Sequence, residues 1–147
     1  CGGAQLVAGV PAVIVGMGTA TTVDILTARG YAGGIIAPGL GVMTRYLHER
    51  TALLPALDPA GLLGGPAIGK TTVDAMRAGC ALGFAGMIGA LLDGVCAELA
   101  RAGSPAPKVV VTGGAAVWLP ASWRDRVAHE PHLTLLGLAE SHRRAFA

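Results

Sequence analysis

A short stretch of glycine and threonine near the start of the chain has the composition of a phosphate-binding turn. It covers residues 16–24 and reads Gly-Met-Gly-Thr-Ala-Thr-Thr-Val-Asp. Apolar and β-branched runs at 12–15 and 23–27 predict two strands joined by a tight turn. Backbone N–H groups and hydroxyls at such a turn donate hydrogen bonds to phosphate oxygens, and no large side chain obstructs the approach. An ordinary glycine–threonine hairpin has the same composition, so this stretch alone leaves both interpretations open.

Asp24 is the carboxylate nearest to this turn. It is a candidate to bind a metal ion, a water molecule or a substrate hydroxyl, and a hydrogen bond within its own hairpin is the alternative. The four histidines lack the spacing of a zinc site. The three cysteines include no Cys-x-x-Cys pair, which argues against disulfides and zinc and favours a reducing cytoplasm as the location.

A second glycine-containing segment has the spacing of a nucleotide-binding P-loop. Residues 64–71 match Gly-x-x-x-x-Gly-Lys-Thr, but a P-loop follows a strand and the proline-rich residues before it predict none. We therefore interpret this segment as the start of a helix. Thr71 or Thr72 is the predicted N-cap, and Asp74 lies favourably in the first turn.

The composition describes one apolar domain. The chain has 147 residues, of which 52% are hydrophobic and 14% charged, and we expect a partner subunit or further sequence to cover part of such an apolar surface. A net charge of +2 predicts no nucleic-acid partner. The longest uncharged run, at 78–92, is too short and too rich in glycine to predict a membrane span.

Strand and helix patterns alternate along the chain and predict a layered α/β fold. The start, at 1–9, is predicted to be the end of a helix, and 51–66 an irregular loop. The predicted strands are 12–15, 23–27, 31–37 and 108–112, with an extended segment at 130–135. The predicted helices are 40–50, 73–101, a short or irregular 119–127, and 137–147.

Small residues recur through the predicted helix at 73–101. Each glycine in a helix interior costs roughly 1 kcal/mol relative to alanine, so we expect something to pack closely on the face that carries them. A second copy of the chain across a two-fold axis would do so, and a break into two helices near 83–89 is the alternative. These small residues are Ala78, Gly79, Gly83, Gly86, Gly89 and Gly94.

A further candidate site follows the buried strand at 108–112. Thr112, Gly113 and Gly114 end this strand, and ligands of α/β sheets bind at the carboxyl ends of strands. The two glycines would leave room for a flat group such as adenine with its ribose.

Six motifs, in this order along nearly the whole chain, resemble those of the type III pantothenate kinase family. They are Gly-Thr-Ala-Thr-Thr-Val-Asp at 18–24, Gly-Gly-Ile-Ile-Ala-Pro-Gly at 33–39, Arg-Thr-Ala-Leu-Leu-Pro at 50–55, Ile-Gly-Lys-Thr-Thr at 68–72, Thr-Gly-Gly at 112–114 and Leu-Thr-Leu-Leu-Gly-Leu at 133–138.

The resemblance implies a fold and an activity. The family belongs to the acetate kinase, sugar kinase, Hsp70 and actin superfamily, built of two ribonuclease-H-like halves with ATP between them. Its members are homodimers that convert pantothenate to 4'-phosphopantothenate with ATP and a divalent metal, Mg²⁺, in the first step of coenzyme A synthesis. Residues 1–147 resemble one domain, the C-terminal half. The family's Asp-x-Gly-Asn phosphate loop and its Gly-x-Asp-Arg motif, which supplies the general base, are not in this sequence, so we expect these residues alone to be inactive.

Site residues also carry over from the family. Gly18 and Thr19 match its ATP-phosphate loop, and Thr112–Gly113–Gly114 match its adenosine motif. Thr72 matches a threonine that contacts pantothenate in the site of the partner subunit. No catalytic base carries over.

One position departs from the family pattern. The family usually has an aspartate two residues before the first glycine of Gly-Thr-Ala-Thr-Thr, and this aspartate binds a monovalent cation, potassium or ammonium. The position is Gly16 here, so the resemblance does not carry that metal ligand over.

The resemblance leaves two functions open. Some relatives are described as Bvg accessory factors, proposed to help transcription, and a non-catalytic regulator of the same fold is the alternative to a kinase. An intact Gly-x-Asp-Arg motif upstream of Cys1 would favour the kinase, and a degraded one the regulator.

Overall fold

A five-stranded mixed sheet with helices on both faces forms the domain, in a computed structural model that describes residues 8–62 and 64–146. The strands are β1 (Ala12–Met17), β2 (Ala20–Thr27), β3 (Gly30–Pro38), β4 (Lys108–Thr112) and β5 (Val127–His129). The helices are α1 (Leu40–Glu49), α2 (Thr72–Arg101), α3 (Ala121–Arg124) and α4 (Leu133–Ala145), with short 3₁₀ turns at Pro59–Leu62 and Ala116–Trp118.

The order of strands in the sheet is β3-β2-β1-β4-β5. The first three form the predicted antiparallel meander, and β4 and β5 are added parallel to β1. The carboxyl ends of β1, β3, β4 and β5 consequently meet at one edge of the sheet, which also carries the β1–β2 turn. This edge brings together two of the candidate segments identified in the sequence, 18–19 and 112–114.

The two faces of the sheet bury alternate residues of each strand. Val13 and Val15 of β1 pack in a core with α2, whereas Ala12 and Ile14 belong to a smaller cluster on the other face, with Leu133 of α4. A period of two is what a strand buried on both faces requires.

Helix α2 is one continuous helix of 30 residues, so the alternative of two broken helices is wrong. Thr71 is its N-cap, as predicted: its hydroxyl oxygen accepts from the Asp74 N–H at 3.1 Å and donates to the Asp74 carboxylate at 2.8 Å. The side of α2 toward the sheet buries side chains at every fourth position, namely Met76, Cys80, Phe84, Ile88 and Leu92.

The glycine side of α2 is not covered within this chain. A Cβ placed on Gly79, Gly83, Gly86 or Gly94 would have open space around it. By length and composition α2 could cross a membrane, but its other side packs on the sheet, as the core helix of a globular domain does. Of the glycines in the prediction, Gly89 is packed closely, with the Pro120 side chain 3.4 Å from where a Cβ would lie, and the described residues provide no such packing at the other four.

The predictions near the end of the chain were partly wrong. The short helix predicted at 119–127 is present as α3. Strand β5 was not predicted, and it forms because Val127–His129 pairs with the open edge of β4. Helix α4 begins at Leu133 rather than 137, which makes 133–135 helical instead of extended, and Leu133 is buried against the sheet. Such tertiary contacts override local patterns. Most of the helix predicted at 1–9 lies outside the described residues.

Glu140 of α4 gives the stability of the domain a dependence on pH. Its side chain is only 5% exposed, and hydrogen bonds from Arg143 and Arg144 lower its pKa to about 2. A carboxylate whose pKa is lower in the folded than in the unfolded state stabilises the fold at pH values above its unfolded pKa. This stabilisation disappears as the pH falls toward the pKa of the folded state.

We therefore expect Glu140→Gln to lower the thermal unfolding temperature at pH 7, and the deficit to shrink as the pH falls from the ordinary value of 4.5 toward 2. Glu49→Gln is the matched control, because Glu49 is exposed and lies 3.8 Å from an equally exposed Arg45. Thermal unfolding followed by circular dichroism measures both. A deficit for Glu140→Gln that is constant across this pH range would contradict the assignment.

Candidate functional site

The turn between β1 and β2 presents free hydrogen-bond donors at the edge of the sheet. Gly18 and Thr19 connect Met17 to Ala20, and both are exposed. The Gly18 N–H donates to the Ala20 carbonyl at 3.1 Å, which closes the turn. The Thr19 hydroxyl makes no hydrogen bond to another described residue. It is thus free to bind an oxygen of a ligand.

Gly39 holds the start of helix α1 directly against this turn. Its N–H donates to the Thr19 carbonyl at 3.0 Å. A Cβ at position 39 would lie 2.2 Å from the Gly18 carbonyl oxygen and 2.4 Å from that of Thr19, so only glycine fits. Gly39 is the N-cap of α1 and provides no side-chain cap. The positive end of the helix dipole is therefore next to the turn.

The loop after β4 passes over the end of β1, beside the same turn. Gly113 has φ +101, and a Cβ there would lie 2.5 Å from the Met17 carbonyl oxygen. The Ala115 N–H donates to that same oxygen at 3.2 Å. The fold thus brings Gly18 and Thr19 together with Gly113 and Gly114, which are also exposed.

Thr112 and the segment after Gly114 border this loop. The Thr112 hydroxyl donates to the Pro131 carbonyl at 3.4 Å, a weak hydrogen bond that a ligand could replace. Beyond the loop is a cavity of about 240 Å³, which has the size for a planar ring. Its lining consists of Ala116, Val117, Leu119, Arg124, Val127 and His129.

Thr72 is not part of this edge. It is exposed at the first position of α2 and lines an apolar cleft of about 510 Å³ with residues from the later turns of α1, among them Tyr46 and Leu47. Met43, in the first turn of α1, also lines this cleft, and Thr19 is not among its lining residues.

Asp24 also lies away from the turn. It is four residues beyond Ala20 in β2, about 13 Å along the strand. Its carboxylate makes no hydrogen bond to another described residue, so the alternative of a side-chain bond within its own hairpin is wrong. Its Oδ1 lies over Gly34, 3.2 Å from where a Cβ would be, and the Tyr31 hydroxyl is close to the same point.

The described residues hold no group of three or more His, Cys, Asp or Glu side chains that would bind a metal. The turn and the ends of β1 and β4 supply threonine hydroxyls and N–H groups and no carboxylate. Glu130 follows β5 at the same edge, and its carboxylate accepts from the His132 N–H at 2.9 Å. A divalent cation such as Mg²⁺ commonly binds proteins through substrate phosphates and water, and this donor set fits that mode.

The two described cysteines have the chemistry of structural residues. Burial raises the pKa of the Cys80 thiol. Burial also raises the pKa of Cys96, which Arg126 lowers to a smaller extent. A raised pKa leaves little reactive thiolate.

A family model described as type III pantothenate kinase matches residues 1–94 of the chain. This chain belongs to the type III pantothenate kinase family. It is 39% identical over 133 residues to a type III pantothenate kinase of Anaeromyxobacter sp. (strain K), covering 90% of this chain and 50% of the relative. It is 42% identical over 138 residues to that of Akkermansia muciniphila, covering 92% and 54%. The chain thus spans about half the length of the curated relatives it matches.

A solved structure from Campylobacter jejuni, described as a conserved putative Baf family transcriptional activator, shares the fold. The TM-score is 0.64, the identity 22%, and the match covers 98% of this chain and 62% of the other. At this identity the likeness concerns the fold alone.

The sequence indicated the segments at 18–19 and 112–114 as candidate sites. It did not indicate that the start of α1 belongs to the same site. The signal was Pro38-Gly39, which ends β3 and begins a helix without a capping side chain. Only the approach of Gly39 to Gly18 and Thr19 makes that helix start part of the site.

Replacing Gly39 should damage this site selectively. We expect Gly39→Ala to destabilise the protein by roughly 1–3 kcal/mol, because the new methyl group meets two carbonyl oxygens. Gly41→Ala is the matched control: a Cβ at Gly41 has open space, so stability should rise by at most about 1 kcal/mol. Urea unfolding measures both. Equal stability of the two variants would show that Gly39 does not hold the turn.

Proposed function

We propose that this chain is the ATP-binding C-terminal half of a kinase that transfers the γ-phosphoryl group of ATP to the hydroxyl of pantothenate, the first step of coenzyme A synthesis. One observation carries the proposal: the turn at 18–19, the start of α1 and the loop at 112–114 converge on the carboxyl edge of the sheet. Family membership supports this choice of reaction.

Phosphate binding would use donors from two elements. The free Thr19 hydroxyl and the backbone of the turn would bind the phosphate oxygens, and the positive end of α1 would favour their negative charge. Phosphoryl transfer depends on positioning and on stabilising charge. These fixed donors would supply both, with Mg²⁺ entering on the nucleotide's phosphates.

The nucleoside would lie over Gly113 and Gly114. Neither residue has a side chain to block a ribose, and the cavity of about 240 Å³ that follows has room for adenine. Thr112, at the end of β4, would contact the nucleoside from the sheet side.

The remaining parts of the site would come from outside these residues. We propose that the sheet, with its order β3-β2-β1-β4-β5, is the ribonuclease-H-like half of the superfamily fold. The other half, which the relatives' greater length would accommodate, would close the ATP site and supply the general base.

Thr72 fits a role in a partner's site. Thr72 lines a cleft that does not include Thr19, and it would contact pantothenate bound to a second subunit. The uncovered glycines of α2, with Leu82 59% exposed beside them, would allow two α2 helices to approach closely in a cytoplasmic homodimer.

A transcriptional accessory role is the alternative, and the likeness to the Campylobacter jejuni protein does not decide for it, because at 22% identity that likeness concerns the fold alone. The kinase relatives are more similar in sequence, at 37–43% identity. The net charge of +2 also gives no basic surface for nucleic acid.

Removing the Thr19 hydroxyl should remove phosphate binding. In the full-length protein we expect Thr19→Ala to lower kcat/KM for pantothenate phosphorylation roughly 100-fold, the usual effect of losing one oriented donor. Thr134→Ala, an exposed threonine of α4, should leave the rate unchanged. A coupled assay of ADP release measures both, and equal rates for the two variants would contradict the assignment of Thr19.

The 147 residues alone should turn over nothing, because they lack the base. Pantothenate, Mg²⁺ and ATP incubated with this chain should give no phosphopantothenate by mass spectrometry, while the full-length protein gives it. Product formed by the isolated chain would disprove the proposed division of the site. A full-length protein that forms none would favour the accessory role.

A large side chain on the glycine side of α2 should separate the dimer. We expect Gly83→Trp to convert the full-length protein to a monomer in sedimentation velocity and to lower its activity through loss of Thr72 from the neighbouring site. Ala100→Trp, four turns further along α2, should remain a dimer. A dimeric Gly83→Trp variant would exclude this face as the interface.

A further inference from the structure

We infer that the phosphate-binding edge of this protein works without a bound monovalent cation, because position 16, where a cation-binding carboxylate would stand, is a glycine flanked by the neutral hydroxyls of two threonines. The inference rests on the proposed ATP site and concerns which groups neutralise the negative charge of the phosphates there. The residues present do not fit the cation that the family resemblance implies.

The geometry at Gly16 carries this inference. Gly16 lies in β1, two residues before the turn, paired with Thr22 of β2 on one side and Thr112 of β4 on the other. A Cβ at position 16 would lie 2.8 Å from Thr22 Oγ1. The position thus provides no carboxylate, and a side chain there would require the Thr22 hydroxyl to shift.

The donors around Gly16 are neutral. They are the hydroxyls of the two flanking threonines, and Thr112 already donates to the Pro131 carbonyl at 3.4 Å. Hard cations in proteins are held by several oxygens that include carboxylates or carbonyls. Two hydroxyls without a negative charge do not replace such a set.

Asp24 is the carboxylate closest to Thr22 along β2, and it does not take the place of a carboxylate at position 16. It pairs with Ile14 rather than Gly16, about 7 Å further along the strand. Its Oδ1 lies over Gly34, beside the Tyr31 hydroxyl. Asp24 is therefore directed to the β3 side of the sheet.

It follows that positive potential for the phosphates comes from the protein's own backbone. The N–H groups of the turn and the uncapped start of α1 are present whatever salt is in solution. Affinity for ATP should then respond to ionic strength but not to the identity of the monovalent cation.

The test compares ATP binding in two salts. Calorimetric titration of Mg-ATP into the full-length protein, in potassium chloride and in tetramethylammonium chloride at equal ionic strength, should give Kd values within about twofold of each other. Tighter binding in potassium by about tenfold or more would overturn the inference alone. Absence of binding in both salts would instead refute the proposed ATP site, and the inference with it.

Two variants locate the cause. Gly16→Asp combined with Thr22→Ala restores a carboxylate and makes room for it, so its ATP affinity should become stronger in potassium than in tetramethylammonium. Asp24→Asn should leave the ratio of the two Kd values unchanged. A double variant that stays indifferent to potassium, or a changed ratio in Asp24→Asn, would overturn the assignment to position 16. The unmodified protein decides the main claim even if the double variant does not fold.

Discussion

The candidate site depends on close backbone contacts at the end of β1. Gly39 lies against the carbonyl oxygens of Gly18 and Thr19, and Gly113 lies against that of Met17, at distances that no side chain allows. These contacts fix a turn, a helix start and a loop in one arrangement without any large side chain. The result is an edge lined by exposed donors, which suits a ligand rich in oxygen and negative charge.

Most of the fold follows from local patterns, because the strands and helices of this chain are long and regular. The meander, α1, the cap of α2 at Thr71 and the buried run of β4 were all predicted from residue types. β5 was not, because Val127–His129 is too short to have a pattern and is a strand only through pairing with β4. The start of α4 was missed for a related reason, since burial of Leu133 against the sheet decides it.

The site was predictable in parts and not as a whole. Gly18–Thr19 and Thr112–Gly114 were recognisable as separate segments, and β1–β4 pairing brings them together. Nothing local shows that Gly39 packs under the turn, or that Thr72 lines a different cleft. A substrate residue outside the ATP edge is what the proposed site shared between subunits would require. The uncovered glycines of α2 point to the same assembly.

Hydrogen exchange on ATP binding tests the convergence of these segments most directly. Mass spectrometry of the full-length protein, with and without Mg-ATP, would follow peptides that contain residues 18–19, 39–42 and 113–115. The account predicts slower exchange in all three when ATP binds, and no change in the last turns of α4, at 140–145, which lead away from the edge. Protection of only one segment, or of none, would contradict the claim that they form a single nucleotide site.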